Sequence, residues 1–343
     1  MKACVIHAAE DVRLDARDEA PLGPGEVRLS FAYGGVCGSD IHYAAHGRVG
    51  DSVVRDPMIL GHEFSATVAE TYADVTGLAP GTKVAVNPAL PCGACIYCRE
   101  GRSNLCADMR FMGSAARRPH QAGGFAERPV VMASQCVPLP DAADLRHVAL
   151  AEPYAVALHA VALAGNISGQ VVLITGAGVI GQLLAVAARR AGASEIVMAD
   201  VVPEALDRAQ ALGADRVLNS GDSSAVAKFL SETQIHVAFE ASGAPQAFNL
   251  CTEALRPGGA LLQVGFLPAA APLTMAKLLT RELRVLGTYR FVDEFDEAVR
   301  QIVAEEVDLR PVISADMMLD DPGEVFRTAQ DKVNTLKVMV HFG

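Results

Sequence analysis

The sequence predicts an α/β protein of two domains, one β-rich and one built on a doubly wound parallel sheet. Three observations lead there. The chain has 343 residues, more than one hydrophobic core usually spans. Short, partly alternating apolar runs punctuated by Gly and Pro fill its first part. From about residue 147 such runs alternate with helical segments, the pattern of parallel strands joined by crossover helices.

In order, ACVIHA, VRLDAR and EVRLSFAYGGV read as strands within residues 1–35. SATVAETY and KVAVNPA follow, and residues 123–139, GGFAERPVVMASQCVPL, read as more strand. Together these suggest a twisted, barrel-like domain whose loops carry the sites. HVALAEPYAVALHAVALAG is alanine-rich and helical in period. QVVLITGAGVIGQLLAVAARRAGASEIVMAD then reads as strand, glycine turn, helix and strand. HVAFEAS, ALLQVGF and LRVLGTY supply further strands, and PEALDRAQALG and PQAFNLCTEAL supply helices. EFDEAVRQIVAEEV is one amphipathic helix, and the tail from SADMMLDD to LKVMVHFG reads as strand that rejoins the first domain.

Composition narrows the function. The formal net charge of −11 argues against a nucleic-acid partner, because phosphate binding needs a basic surface. A small anionic substrate held by local arginines remains open. No apolar run approaches the length of about 18 residues that spans a bilayer. MKACVIHAAEDVRL lacks the long apolar core of a signal peptide, so a cytoplasmic location is expected.

Four of the eight cysteines, Cys92, Cys95, Cys98 and Cys106, fall in PCGACIYCREGRSNLC. Cytosolic proteins rarely build disulfide frameworks. The C-x2-C-x2-C-x7-C spacing suits four thiolates around a tetrahedral zinc, with Pro91, Gly93 and Gly101 allowing a tight knuckle. A closed four-sulfur site leaves no coordination position open, so it is structural and the chemistry lies elsewhere.

Gly176, Gly178 and Gly181 form G-x-G-x-x-G between a strand and a helix. Gly176 permits the turn, Gly178 lets a pyrophosphate approach the backbone, and Gly181 lets the helix pack on the sheet. Val179 and Ile180 open the helix whose N-terminus faces the phosphates. Asp200 ends the next strand, where a carboxylate accepts from the adenosine ribose hydroxyls and repels a 2′-phosphate. This Rossmann pattern favours NAD over NADP, although Arg208 lies farther along as a possible phosphate partner. The bland reading is a packing turn, and the same fold also accommodates S-adenosylmethionine.

Cys37 in GGVCGSDIH, His62 and Glu63 in ILGHEF, and Glu152 in LAEPYA are of the ligand types that hold catalytic zinc with one position open. They are far apart in the chain, so spacing alone leaves a buried cysteine and a core histidine as the alternative. GGVCGSDIH, GHEF, the four-cysteine lobe, AEPYAVALHA and TGAGVIG nevertheless occur together and in this order. That set resembles the zinc-dependent medium-chain dehydrogenase/reductase family over nearly the whole chain. The Glu in AEP is similar to its polyol (sorbitol-type) branch. HYAAHGRVGDSVVRDPMILGHE and MRFMGSAARRPHQAGGFAE are similar to members that act on a sugar acid.

The resemblance implies a GroES-like catalytic domain over residues 1–150, completed by 291–343, with a Rossmann domain over 151–290. It implies two zinc ions per chain and NAD, with NADP possible. The catalytic zinc would take Cys37, His62 and Glu152, with Glu63 near enough to exchange, and the structural zinc Cys92, Cys95, Cys98 and Cys106. It implies oxidation of a secondary alcohol of a sugar acid to a ketone; the alternative is a neutral polyol such as sorbitol, xylitol or 2,3-butanediol. Zinc would lower the pKa of the substrate hydroxyl, and hydride would pass to the nicotinamide.

Ser39 resembles the family's proton-relay hydroxyl, with capping of a helix that begins at Asp40 as its other reading. His42 lies where some relatives end that relay, and Tyr43 lines the pocket or packs half-buried. Arg48, Arg110, Arg117 and Arg290 are the candidate partners for a substrate carboxylate, and Arg110 and Arg290 are preferred. The family forms dimers and tetramers, often by joining Rossmann sheets edge to edge. LLQVGFLPAAAPLTM is apolar enough for that contact or for core.

Overall fold

The computed structural model describes residues 1–268, 270–273 and 275–343. The chain divides into two compact units. The first comprises Met1–Glu152, Phe295–Asp331 and Thr335–Gly343; the second comprises Pro153–Glu294 and Lys332–Asn334.

In the first unit, Lys2–Ala8 pairs antiparallel with Asp11–Ala16 and Met58–Ile59. A larger sheet runs Cys136–Pro138, Lys83–Val86, Glu63–Thr71, Glu26–Gly35, Lys337–His341 and Ile313–Met318, with Val130–Met132 also on Glu26–Gly35. The end of the chain is thus built into the middle of this sheet: Met339 pairs with Gly35 and Val340 with Gly34. Alternation along Glu26–Gly35 and Glu63–Thr71 sends Val27, Leu29, Phe64, Ala66 and Val68 into one core. Cys4, Ile6, Val36, Leu60, Phe125, Val338 and Val340 fill another. Phe31 joins the two, stacked on Phe64 at 5.8 Å and edge-on to Phe125 at 6.2 Å between centroids.

The second unit holds a six-stranded parallel sheet. Its spatial order is Arg216–Asn219, Glu195–Asp200, Val171–Thr175, Ile235–Glu240, Leu255–Gln263 and Arg284–Gly287. In chain order that is 3-2-1-4-5-6, the Rossmann arrangement. Val172, Leu173, Ile174, Ala238 and Phe239 are wholly buried, as strands covered on both faces require. Helix Val179–Arg190 lays Leu183, Leu184, Ala187 and Ala188 inward and ends on Arg189 and Arg190, cations at the negative end of its dipole.

Three expectations need correction. Residues 123–139 are not continuous strand: Val130–Met132 and Cys136–Pro138 are separated by a 3₁₀ turn, Ala133–Gln135. The tail is not strand throughout, because helix Pro322–Gln330 intervenes, with Asp321 accepting from Glu324 N–H at its start. The long alanine-rich helix is broken into Leu145–Val148 and Ala151–Ala164. Strand Arg216–Asn219 and helix Ser223–Glu232 were missed. The latter carries its own signal in Asp222, which accepts from the N–H groups of Ser224 and Ala225. Among the described residues no helix is long and apolar enough to cross a membrane.

Candidate metal centres and dinucleotide-binding turn

Cys37, His62 and Glu63 come together at the end of the large sheet. Strand Glu26–Gly35 delivers Cys37, and strand Glu63–Thr71 begins at Glu63. One donor atom from each lies within 4.8 Å of the others. Asp40, wholly buried, ties the two segments: its carboxylate accepts Cys37 N–H at 3.0 Å and Gly61 N–H at 3.1 Å. His62 Nδ1 is buried without a hydrogen-bond partner, 3.7 Å from Asp40 Oδ1, and Phe111 packs 5.6 Å from the imidazole.

Glu152, at the start of its helix, is buried but stands outside that trio of mutually close donors. Burial pushes its carboxyl up to about 8, with Glu63 and Cys37 adding and His62 and Lys337 opposing. Burial, then Glu63 and Asp40, push the Cys37 thiol up to about 12, so a metal binding there must displace its proton. Lys337 is paired with Glu63 beside these groups. Burial works against its charge, and Glu63 and Cys37 outweigh it, so its pKa lies above the ordinary value. A thiol, an imidazole and a carboxylate within 4.8 Å of one another form a donor set that fits zinc.

Helix Gly38–His46 begins one residue after Cys37, which occupies the cap position. The capping reading of Ser39 is therefore overturned: the helix starts at Gly38, and Ser39 sits in its first turn. His42 is exposed, its ring 5.9 Å from that of His46 one turn on. Tyr43 is buried in the core rather than half-buried, and its hydroxyl accepts Ala115 N–H at 3.0 Å.

The arginines differ in commitment. Arg48 chelates the Gly50 carbonyl at 2.9 and 2.6 Å, and Arg117 donates to the Ala107 carbonyl. Arg110 is exposed on strand Arg110–Phe111, next to the Phe111 that packs on His62. Arg290 has φ +56°, a conformation that side chains rarely adopt, and its guanidinium lies 4.7 Å over the Tyr289 ring.

All four lobe cysteines are unpaired thiols. Cys95 Sγ lies 3.5 Å from Cys98 Sγ and 3.9 Å from Cys106 Sγ. Sulfurs at 2.3 Å from a tetrahedral ion stand about 3.8 Å apart. Amide donors converge on them as well: Cys92 N–H and Asp108 N–H reach Cys106 Sγ at 3.2 and 3.3 Å. Amides of Ala107 and Cys98 hold the Cys95 thiol down to about 6. The lobe fits a structural zinc.

In the second unit Gly176 takes φ +92°, and a Cβ at Gly181 would stand 1.8 Å from the Gly176 carbonyl oxygen. A Cβ at Gly178 would meet nothing within 4 Å. Val179 and Ile180 lie half-buried in the first turn of the helix. Asp200 accepts Ala177 N–H at 2.7 Å, Val201 N–H at 2.7 Å and Val202 N–H at 3.0 Å, so its carboxylate is fixed beside the turn. Arg208 is committed to the carbonyls of Val333 and Lys332 at 2.8 and 3.0 Å.

Sequence reasoning missed three charged residues. Asp40 and Lys337 are described above. Glu240, wholly buried at the end of strand Ile235–Glu240, accepts Ser242 N–H at 2.7 Å, Gly243 N–H at 3.0 Å and the Gln263 amide, and so shapes the loop beside Gly176. A lone charged residue bounding an apolar run was the available signal for Lys337 and Glu240.

Residues 23–141 match the alcohol dehydrogenase GroES-like domain, and residues 179–304 match the zinc-binding dehydrogenase family. The chain is 41% identical to L-idonate 5-dehydrogenase (NAD(P)(+)) of Escherichia coli (strain K12), over 92% of this chain and 91% of that one. It is 33% identical to sorbitol dehydrogenase of Gallus gallus, over 96% and 93% of the two chains. The crystal structure of Escherichia coli L-idonate 5-dehydrogenase superposes with a TM-score of 0.94 at 38% identity, covering 99% and 98% of the chains. With a GroES-like unit that carries both zinc-fitting donor sets and a Rossmann unit that carries the dinucleotide turn, the chain belongs to the zinc-dependent, NAD(P)-linked alcohol dehydrogenase family.

Proposed function

We propose that this protein oxidises a secondary alcohol of a sugar acid to a ketone, with L-idonate, giving 5-ketogluconate, as the substrate. The observation that carries the proposal is the trio Cys37, His62 and Glu63, donors within 4.8 Å of one another, in a chain 41% identical to an L-idonate 5-dehydrogenase. When bound, zinc supplies Lewis-acid polarisation of the alcohol oxygen, and NAD(P) accepts hydride.

Cys37 and His62 hold the metal, and Glu152 is the third ligand, with Glu63 as its competitor. Ser39 takes the substrate's proton and His42, exposed on the same helix, passes it to water. Gly176, Gly178, Val179, Ile180 and Gly181 receive the pyrophosphate at the helix N-terminus. Asp200, fixed by three amides, accepts from the adenosine ribose; with Arg208 committed elsewhere this favours NAD over NADP.

Arg290, in its strained conformation, and the exposed Arg110 are the candidates for the substrate carboxylate. Tyr43, whose hydroxyl accepts Ala115 N–H, is the further candidate for substrate contact. A second reading, a neutral polyol substrate, draws support from the sorbitol dehydrogenase relative at 33% identity.

The assembly is a dimer or tetramer in the cytoplasm. Strand Arg284–Gly287 is exposed along its whole length at the sheet edge, and the same unit exposes Phe266 and Leu279, which suits pairing with a second copy. Ala269 and Thr274 of the apolar stretch read for this contact lie outside the described residues. Eight free thiols suit a reducing compartment.

Initial rates of NAD and NADP reduction on L-idonate, D-gluconate, sorbitol, xylitol and 2,3-butanediol test the proposal. A preference for L-idonate with NAD supports it; a preference for sorbitol or xylitol replaces the sugar acid with a neutral polyol.

A further inference from the structure

Lys337 opens the strand Lys337–His341 and is only 2% exposed. A lysine is buried this deeply only when its charge is matched. Its Nζ forms an ion pair with Glu63 Oε2, on a side chain equally buried, and donates to the Val36 carbonyl at 3.0 Å.

Room for the pair is built in. A Cβ at Gly35 would stand 2.4 Å from Glu63 Oε2 and 2.5 Å from Lys337 Cε, so only glycine leaves the space. Three neighbouring strands therefore cooperate. Glu26–Gly35 supplies the gap, Glu63–Thr71 the carboxylate and Lys337–His341 the ammonium.

Glu63 thus has two claimants. It belongs to the donor trio with Cys37 and His62, and it is paired with Lys337. Glu152 is a further carboxylate close enough to feel both. Four protein donors around one zinc would close the shell, whereas turnover needs a position open to substrate.

We propose that Lys337 is a positioning residue that competes with the metal for Glu63, keeping that carboxylate a displaceable ligand and the fourth coordination position available. This rests on the reading of Cys37 and His62 as the catalytic zinc site. The geometry agrees: the Glu63 carboxylate is already held by a buried ammonium, in a space that Gly35 keeps open for the pair.

The test is the rate at which the zinc-loaded full chain releases zinc to excess EDTA. Two release phases are expected, and Cys37→Ser identifies the catalytic one by abolishing it. In Lys337→Met, Glu63 is freed to ligate, so the catalytic phase slows about tenfold. In Lys337→Met/Glu63→Gln it is no slower than in the unmodified protein.

Glu63→Gln alone leaves the ammonium uncompensated beside the metal, and release quickens about tenfold. Lys337→Gln, which keeps a donor for Val36, is expected to act as Lys337→Met does and replaces it if the latter does not fold. A catalytic phase unchanged or faster in the Lys337 variants, with NADH binding intact, overturns the proposal while leaving the zinc site standing. So does an unchanged rate in Glu63→Gln. If the unmodified protein shows no phase sensitive to Cys37→Ser, the zinc-site reading itself fails and takes this proposal with it.

Discussion

Asp40 Oδ1 stands 3.7 Å from His62 Nδ1, just beyond hydrogen-bond reach, while the same carboxylate holds the N–H groups of Cys37 and Gly61. One buried side chain therefore sets the spacing of the two segments that carry Cys37 and His62. It also offers the acceptor that a metal-binding imidazole uses to fix its ring. Asp40→Ala orphans two N–H donors and is expected to cost about 3 kcal/mol of stability, at about 1–3 kcal/mol for each. Zinc affinity should fall roughly 10- to 100-fold. Denaturant titration and chelator competition check the two effects; a stable variant with unchanged zinc affinity refutes the role.

The glycines of the dinucleotide turn should separate by cause. Gly181→Ala drives a Cβ into the Gly176 carbonyl, 1.8 Å away, and should lower the melting temperature together with NAD(P) affinity. Gly178→Ala meets no protein atom within 4 Å, so stability should stay within about 0.5 kcal/mol while NAD(P) binding weakens at least about tenfold. Melting curves and fluorescence titration with NADH distinguish them. Unimpaired NADH binding by Gly178→Ala would contradict the placement of the pyrophosphate.

These features differ in how far the sequence exposes them. The dinucleotide turn and the cysteine lobe were legible because each is local: GAGVIG lies between its own strand and helix, and the four cysteines fall within residues 91–106. Cys37, His62 and Glu152 are dispersed, and family resemblance alone suggested that they belong together. Lys337 was illegible as a site residue because its partner Val36 lies 301 residues away, and in LKVMVHFG it reads as the polar end of a strand. Asp40 was hidden as an apparent first helical residue. Helix Pro322–Gln330 was lost between two convincing strands, and Arg216–Asn219 is too short to show a period.

Acid should weaken the first unit through His147. Its Nε2 accepts Leu309 N–H at 3.0 Å, which requires a neutral ring, and burial, then the nearby Arg310, lower its pKa. The unfolded chain takes up that proton near pH 6.5, the folded chain only at lower pH. The contribution is therefore fully present above about pH 6.5 and is lost as pH falls from there toward the depressed folded value. His147→Gln keeps an acceptor without a titrating group, so its stability should depend less on pH below 6.5. Denaturant titrations from pH 5 to 8 check this; parallel profiles for the two proteins would refute it.

Arg290 should discriminate among substrates by charge. A charge-assisted contact contributes about 1.5–3 kcal/mol, so Arg290→Ala should raise KM for L-idonate roughly 10- to 100-fold and KM for sorbitol far less. Steady-state kinetics on both substrates check it, and equal losses would remove the carboxylate role. Arg110→Ala, assayed alongside, shows whether the second candidate shares the charge.

The central claim is that a zinc held by Cys37 and His62 drives alcohol oxidation, apart from a structural zinc in the cysteine lobe. Zinc content and NAD reduction on L-idonate, measured together on the unmodified protein and on Cys37→Ser, test it most directly. The expected result is two zinc ions per chain with turnover in the first, and one zinc ion, an intact fold and no turnover in the second. Two zinc ions in Cys37→Ser, or turnover that survives the substitution, would contradict it.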